Sequence, residues 1–177
     1  MSAPSGMIDP AIFEGLQTKV DEDTAVRDEL KDIIQALEKQ TRNISFVLSR
    51  AHSTTYADLP SVLKASEEHI KSAIDTVSKL AQAASKQPYY KFNGMWSRQM
   101  QDALQGILFW AWLGGTDYKT GEAKCGRLLT LEELGDVLKV PTNLKDKDEF
   151  HITIEEYLIA LTSLVEELVC PSYCHSD

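Results

Sequence analysis

The fold of this chain is decided by one aromatic stretch, Tyr89-Tyr90-Lys91-Phe92-Asn93-Gly94-Met95-Trp96-Ser97-Arg98, which continues to Trp112. The stretch and its continuation hold all three tryptophans and two adjacent tyrosines of a sequence that is only 8% aromatic. From Met100 onward nearly every helical position is apolar, which predicts the central buried helix of a bundle. Asp102 is the one charge in that part, and we expect it to be buried.

Two long amphipathic helices are predicted before this stretch. Apolar residues recur three or four positions apart between Val26 and Ala51 and again between Val62 and Ala84, and this is the period of one helical face. The predicted helices run from about Pro10 to Ala51 and from about Leu59 to Ser85. The aromatic stretch supplies a third helix, from Tyr89 to Leu113.

Two shorter helices are predicted after a glycine-rich loop at residues 114–126. Thr130-Leu131-Glu132-Glu133 and Thr153-Ile154-Glu155-Glu156 both have the capping-box pattern, in which a hydroxyl residue precedes a glutamate by three positions. No stretch alternates polar and apolar residues as a strand does. We therefore predict an all-α, antiparallel bundle of long amphipathic helices. Residues 10–169 are predicted to form its single domain, with a flexible N-terminus at 1–9 and an irregular tail at 170–177.

The composition narrows the classes of function. A formal net charge of −9 argues against a protein that grips nucleic acid over its whole surface, but it leaves a local basic patch open. The sequence has no secretory signal and no apolar run of the ~18 residues that a membrane helix needs. We expect a cytoplasmic or nuclear location without membrane contact. Cys170, Cys174 and His175 are interpreted as part of the tail, because no second pair of ligands completes a metal site.

The residues from Tyr89 to Arg98 have two interpretations. Their aromatic side chains could simply be core, which is usual for aromatic residues near helical spacing. Alternatively, Tyr and Phe rings stack on unpaired bases while Lys91 and Arg98 neutralise phosphates, as in proteins that bind single-stranded nucleic acid. The sequence alone favours the core. Basic residues on the first helix, among them Arg27 and Lys31, are open to the same two interpretations.

Metal-dependent cleavage of a phosphodiester would need several carboxylates that converge on Mg²⁺. Asp102 is the only acid inside the third helix, and the position on the last helix that could face it is Ser163 or a neighbour. One acid does not make a metal site.

Four blocks of sequence, in order, resemble the translin family: Arg27 to Glu38, Tyr89-Tyr90-Lys91-Phe92 followed by Trp96, Leu129 to Glu133, and Phe150 to Leu158. The resemblance covers roughly residues 10–169. It implies an α-helical bundle that assembles into octamers and binds single-stranded RNA and DNA. It also implies a paralogous partner resembling translin-associated factor X, in the endoribonuclease complex called C3PO. The family continues with further C-terminal helices, so we expect this sequence to be a shortened or alternatively ended version of a longer helical protein.

The resemblance also implies where a nucleic acid would bind. The family's basic contacts fall on Arg27, Lys31 and Lys91, while Asn93 and Met95 stand where the family often has histidines. With the aromatic stretch included, the predicted nucleic-acid-binding residues are Arg27, Lys31, Tyr89, Tyr90, Lys91, Asn93 and Arg98.

The catalytic acids of the paralogue fall on Asp102, Gln105 and Ser163 of this sequence, and only Asp102 is a carboxylate. We therefore predict no catalytic residue, no metal ligand and no cofactor in this chain, with Mg²⁺ required only when the catalytic partner is present. The predicted function is that of a nucleic-acid-binding scaffold subunit in RNA processing and RNA silencing. Two alternatives stay open: a Mg²⁺-dependent single-stranded ribonuclease in its own right, and a helical adaptor with no nucleic-acid role.

Overall fold

A computed structural model of the chain describes residues 10–115, 125–144 and 148–169. Within them lie six α-helices: α1 (Pro10–Ser49), α2 (Leu59–Ala84), α3 (Tyr89–Phe92), α4 (Ser97–Trp112), α5 (Leu131–Leu138) and α6 (Ile154–Val169). Short 3-10 helices cover Arg50–Ser53 and Asn93–Met95. The predictions for residues 1–9 and for the tail with Cys170, Cys174 and His175 lie outside the described residues.

The two long helices form an antiparallel hairpin, in which the Gln40 amide of α1 donates to the Ser72 hydroxyl of α2. Leu30, Leu37 and Ile44 of α1 are fully buried, as are Ile70 and Val77 among others on α2. Because these residues repeat every three or four positions, each helix presents one continuous apolar face to the bundle. The prediction of an all-α bundle is confirmed.

The third predicted helix, Tyr89–Leu113, is broken in the structure. The 3-10 turn Asn93–Met95 separates α3 from α4, and the flanking Phe92 and Trp96 have φ values of −123° and −113°, far from the ~−63° of an α-helix. Gly94 weakens helix propensity at this point by about 1 kcal/mol relative to alanine. The break turns the chain so that Phe92 and Trp96 are both buried at 1% exposure.

Contacts along the helices give their directions. Arg27 of α1 lies beside Phe92, and further along α1 Ile44 meets Gly106 of α4, so α1 and α4 run parallel. Ser97 bonds to Glu156 near the start of α6. Glu167 in the last turn of α6 bonds to His52 in the 3-10 helix that follows α1, so α6 runs in the same direction as α1 and α4. The core therefore lies between three parallel helices and the antiparallel α2.

Both predicted capping boxes are present. Thr130 and Glu133 exchange hydrogen bonds at the start of α5, and Thr153 and Glu156 do so at the start of α6. Among the described residues the only β-type pairing is an isolated bridge between Thr142 and Ile152. In the same part of the chain, no helix combines the length and apolar character needed to cross a bilayer.

Candidate functional site

Two of the predicted cationic residues converge on one aromatic ring. The guanidinium of Arg27 on α1 and the Nζ of Lys91 on α3 each lie 5.3 Å from the centroid of Phe92. The Nη1 of Arg27 also lies 4.0 Å from the Sδ of Met95. Cations at this distance from a ring are attracted by its electron-rich face, typically by about 0.5–1 kcal/mol at exposed sites. The ring therefore holds two positive charges at the surface although they are far apart in sequence.

Lys31 is exposed one helical turn after Arg27, so the cationic side chains of α1 extend along one side of the helix. We call Arg27, Lys31 and Lys91, together with the Phe92 ring that two of them contact, the basic patch. Arg98 is also exposed, at the start of α4. Its charge acts on Asp102, and no contact joins it to the basic patch.

Acidic groups border the basic patch. The Nζ of Lys91 lies 2.5 Å from the carboxylate of Asp23, with both side chains more than a third exposed. The backbone N–H of Tyr90 donates to Asp148 at 3.4 Å. Exposed ion pairs of this kind contribute only about 0–1 kcal/mol. The Asp23 carboxylate therefore holds the Lys91 ammonium only weakly.

The two adjacent tyrosines have different environments. Tyr90 is 72% exposed, whereas Tyr89 is 4% exposed. The Tyr89 ring meets Trp96 at 5.9 Å, His151 at 4.7 Å and Tyr90 edge-on at 5.3 Å. Tyr89 is therefore a core residue, and its ring already contacts other aromatic side chains. The face of Tyr90 is open to solvent.

Burial raises the pKa of Tyr89 to about 12, and the nearby carboxylate of Glu156 adds to the shift. A hydrogen bond between the side chains of Asn93 and Tyr89 acts in the opposite direction. Asn93 is half-buried, so this hydrogen bond to the Tyr89 phenol lies beneath the surface. Asn93 follows Phe92 directly in the sequence, and its side chain contacts the core residue Tyr89.

The structure corrects the expectation that Asp102 is buried. Asp102 is exposed and lies on the side of α4 that faces α1. Partial loss of water contact beside α1 raises the pKa of its carboxyl, the charge of Arg98 lowers this pKa, and the charge of Glu38 raises it. The periodicity could not give this result, because the buried faces of α4 leave one narrow strip open beside α1.

Asp102 and Gln105 line a shallow cleft together with Thr41, Arg42 and Ser45 of α1. Ser163, the third position implied by the family resemblance, is half-buried on α6 and does not line this cleft. Among residues 10–115, 125–144 and 148–169, no group of three or more His, Cys, Asp or Glu side chains is placed to hold a metal ion.

Sequence reasoning missed the roles of Phe92 and Asp23 in arranging the charges. Nothing in the sequence links Asp23 to Lys91, since the contact depends on how α3 docks against α1. The cleft residues Thr41 and Ser45 were missed for the same reason. The local signals for the basic patch were the four-residue step from Arg27 to Lys31 and the position of Lys91 beside Phe92.

Comparison with known proteins identifies a family to which this sequence is similar. A family model described as Translin family matches residues 25–170. Curated relatives include Translin of Gallus gallus, 26% identical over 160 residues, and Translin of Mus musculus, 27% identical over 158 residues. Translin of Homo sapiens is 26% identical over 158 residues. In each case the match covers 89% of this chain and 64% of the relative, so the chain spans just under two thirds of the length of these relatives.

Proposed function

The chain belongs to the translin family, and from this premise we propose that it is a single-stranded RNA- and DNA-binding scaffold subunit of an endoribonuclease complex. The partner that carries the catalytic acids is a paralogue resembling translin-associated factor X, and the setting is RNA processing in the cytoplasm or the nucleus. Residues 10–169 act as one domain in this role. The observation that carries the proposal is the convergence of Arg27 and Lys91 on the Phe92 ring.

The basic patch has the two components that a single-strand binder needs. Arg27, Lys31 and Lys91 supply cations for phosphates, and the exposed ring of Tyr90 offers a face on which a base can stack. Stacking of this kind contributes about 1–3 kcal/mol per base and tolerates any sequence. The net charge of −9 argues against binding over the whole surface and favours binding through a local group of cations.

The chain itself contributes no catalytic acid in this proposal. Gln105 and Ser163 cannot ligate Mg²⁺ as carboxylates do, so the metal belongs to the partner subunit. This assigns the chain to positioning RNA rather than cleaving it.

Self-association is part of the proposal and is supported by exposed apolar residues on two helices. Ile12, Phe13, Leu16 and Val20 are exposed on α1, and Ile154, Leu158, Val165 and Val169 are exposed on α6. Apolar stripes of this length on a surface mark interaction sites. The octamer that the family forms is the assembly we propose.

A salt-dependent binding titration tests the nucleic-acid role. We expect the double variant Arg27→Glu, Lys91→Glu to lose most of its affinity for a single-stranded oligonucleotide in fluorescence anisotropy. Each phosphate contact to a single strand contributes about 0.7 to the slope of log affinity against log salt. Loss of two contacts should therefore reduce the slope by about 1.4.

The matched control is Lys64→Glu, Lys79→Glu, which makes the same charge change at exposed positions of α2. If both double variants weaken binding equally, the effect is one of net charge and the basic patch is not the site. Binding without salt dependence in the unsubstituted chain would also contradict the proposal.

A further inference from the structure

The cleft between α1 and α4 is formed by a close approach of the two helices. A Cβ on Gly106 would lie 3.0 Å from the Cγ2 of Ile44, so only glycine lets α4 come this near to α1 without displacement. Beside this contact point, Thr41, Arg42 and Ser45 face Asp102 and Gln105 across a cavity of about 200 Å³. Drug-sized ligands use cavities of roughly 300 Å³ or more, so the cleft suits a smaller group.

The cleft lies on the same face of α1 as the basic patch. At 3.6 residues per turn, Arg27, Lys31, Arg42 and Ser45 project within about 60° of one another around the helix. Arg42 follows Arg27 by roughly 22 Å along the axis at ~1.5 Å per residue. A strand stacked at ~3.4 Å per nucleotide covers this distance with about six nucleotides.

The charges of the cleft do not suit a phosphate or a metal ion. The guanidinium of Arg42 is already paired with Glu38, and Asp102 adds a second negative charge to the same rim. A phosphate would meet as much repulsion as attraction. Mg²⁺ or Ca²⁺ would need more than the one carboxylate that lines the cleft.

Asp102 and Gln105 are residues of the cleft whose side chains are available for further hydrogen bonds. The Asp102 carboxylate forms no ion pair with another residue in the described part of the chain, and an ionised carboxylate only accepts hydrogen bonds. Carboxylates accept from the N4 amino group of cytosine, and glutamine pairs with the N6 amino and N7 of adenine. Uracil has the O4 carbonyl at the matching position, which is an acceptor and cannot donate to a carboxylate.

We propose that this cleft is a base-edge subsite for an amino-bearing nucleobase of a single strand bound at the basic patch. Asp102 accepts from the exocyclic amino group, and Gln105 contacts the same base edge. The subsite rests on the proposed function, because the strand reaches it along α1 from Arg27 and Lys31. It gives the scaffold a preference for cytosine over uracil at one position of the strand.

Anisotropy titrations with oligocytidine and oligouridine of equal length test the subsite. Both strands are longer than about six nucleotides, so that one strand reaches both the basic patch and the cleft. The unsubstituted chain should bind oligocytidine about fivefold tighter, the lower end expected for one base contact. In Asp102→Asn the ratio should fall close to one, because an amide serves the amino group and the carbonyl equally.

The control Asp75→Asn removes the same charge from an exposed position on α2 and should keep the fivefold ratio. Asp102 is exposed and asparagine has its shape, so circular dichroism should report an unchanged fold. A ratio that is the same in Asp102→Asn as in the unsubstituted chain would overturn the subsite and leave the basic patch standing. Failure of the unsubstituted chain to bind either strand would overturn both proposals.

Discussion

The phenol of Tyr89 links the stability of the fold to alkaline pH. Its pKa in the folded chain is about 12, mainly because of burial, whereas an unfolded tyrosine titrates near 10. Between these values the folded state keeps a proton that the unfolded state has lost. The stabilisation from this group is complete below pH 10 and is lost as the pH rises toward 12.

Substitution of Tyr89 by phenylalanine should therefore flatten the alkaline stability curve. We expect the free energy of unfolding of the unsubstituted chain to fall by up to about 1.4 kcal/mol per pH unit between pH 10 and 12 from this residue alone. Urea titrations at several pH values measure the slope. Tyr90→Phe, at an exposed ring, should leave the slope as it is, and equal slopes in all three proteins would contradict the assignment.

Tyr89 and Asp102 are two residues whose burial the sequence could not decide, for a physical reason. The sequence offers no way to tell which of two adjacent tyrosines is buried, because the choice is made by His151 in a loop 62 residues later. Asp102 falls in an apolar helix, yet the buried faces of α4 stop short of the strip beside Thr41 and Ser45. Both outcomes depend on tertiary packing.

At the scale of the elements, Glu156 joins the start of α6 to the start of α4. Its Oε2 accepts from the backbone N–H of Thr153 at 3.1 Å, and its Oε1 accepts from the Ser97 hydroxyl at 2.9 Å. The side chain is buried, so these partners replace the water that the carboxylate gives up. A single residue thus completes a helix cap and fixes the relative position of two helices.

Replacement of Glu156 by alanine should lower the free energy of unfolding by about 2–3 kcal/mol. Part of this is the lost cap, about 1 kcal/mol, and the rest is the Ser97 hydroxyl left without its acceptor. Chemical denaturation measures the change. Glu155→Ala, at the exposed neighbour in the same helical turn, should stay within about 0.5 kcal/mol; a similar loss in both variants would refute the role of Glu156.

The helices themselves were largely predictable. Periodic apolar residues locate α1 and α2 to within a few residues, and the two capping boxes locate α5 and α6, since these signals act over one or two turns. The break at Asn93–Met95 was not predictable, because one glycine in an apolar run does not decide between a continuous helix and a turn. That break is favoured by burial of Phe92 and Trp96 together, which is a property of the whole bundle.

At the scale of the whole molecule, the apolar stripe of α6 is the feature that bears on assembly. Leu158 and Val165 are exposed on one face of the helix. We expect the double variant Leu158→Glu, Val165→Glu to lower the particle mass measured by light scattering, because charges at a contact between copies lose their water. The control Lys64→Glu, Lys79→Glu adds negative charge at exposed positions of α2, on a different helix.

An unchanged mass in the stripe variant, or an equal loss of mass in the control, would show that α6 does not contact another copy. Neither pair of substitutions lies in the basic patch. A change in particle mass would therefore report on assembly and not on nucleic-acid binding.

The exposure of the first turns of α1 has a consequence for their stability. Residues 12–22 are exposed on every side, so packing against the other described residues lends this part of the helix little cooperativity. A lone helix of this length is marginal in water. It can fray and reform while the bundle around Leu30 and Leu37 stays intact. A global unfolding midpoint is therefore insensitive to substitutions there, and the order of this segment is set by whatever covers Phe13 and Leu16 rather than by the stability of the bundle.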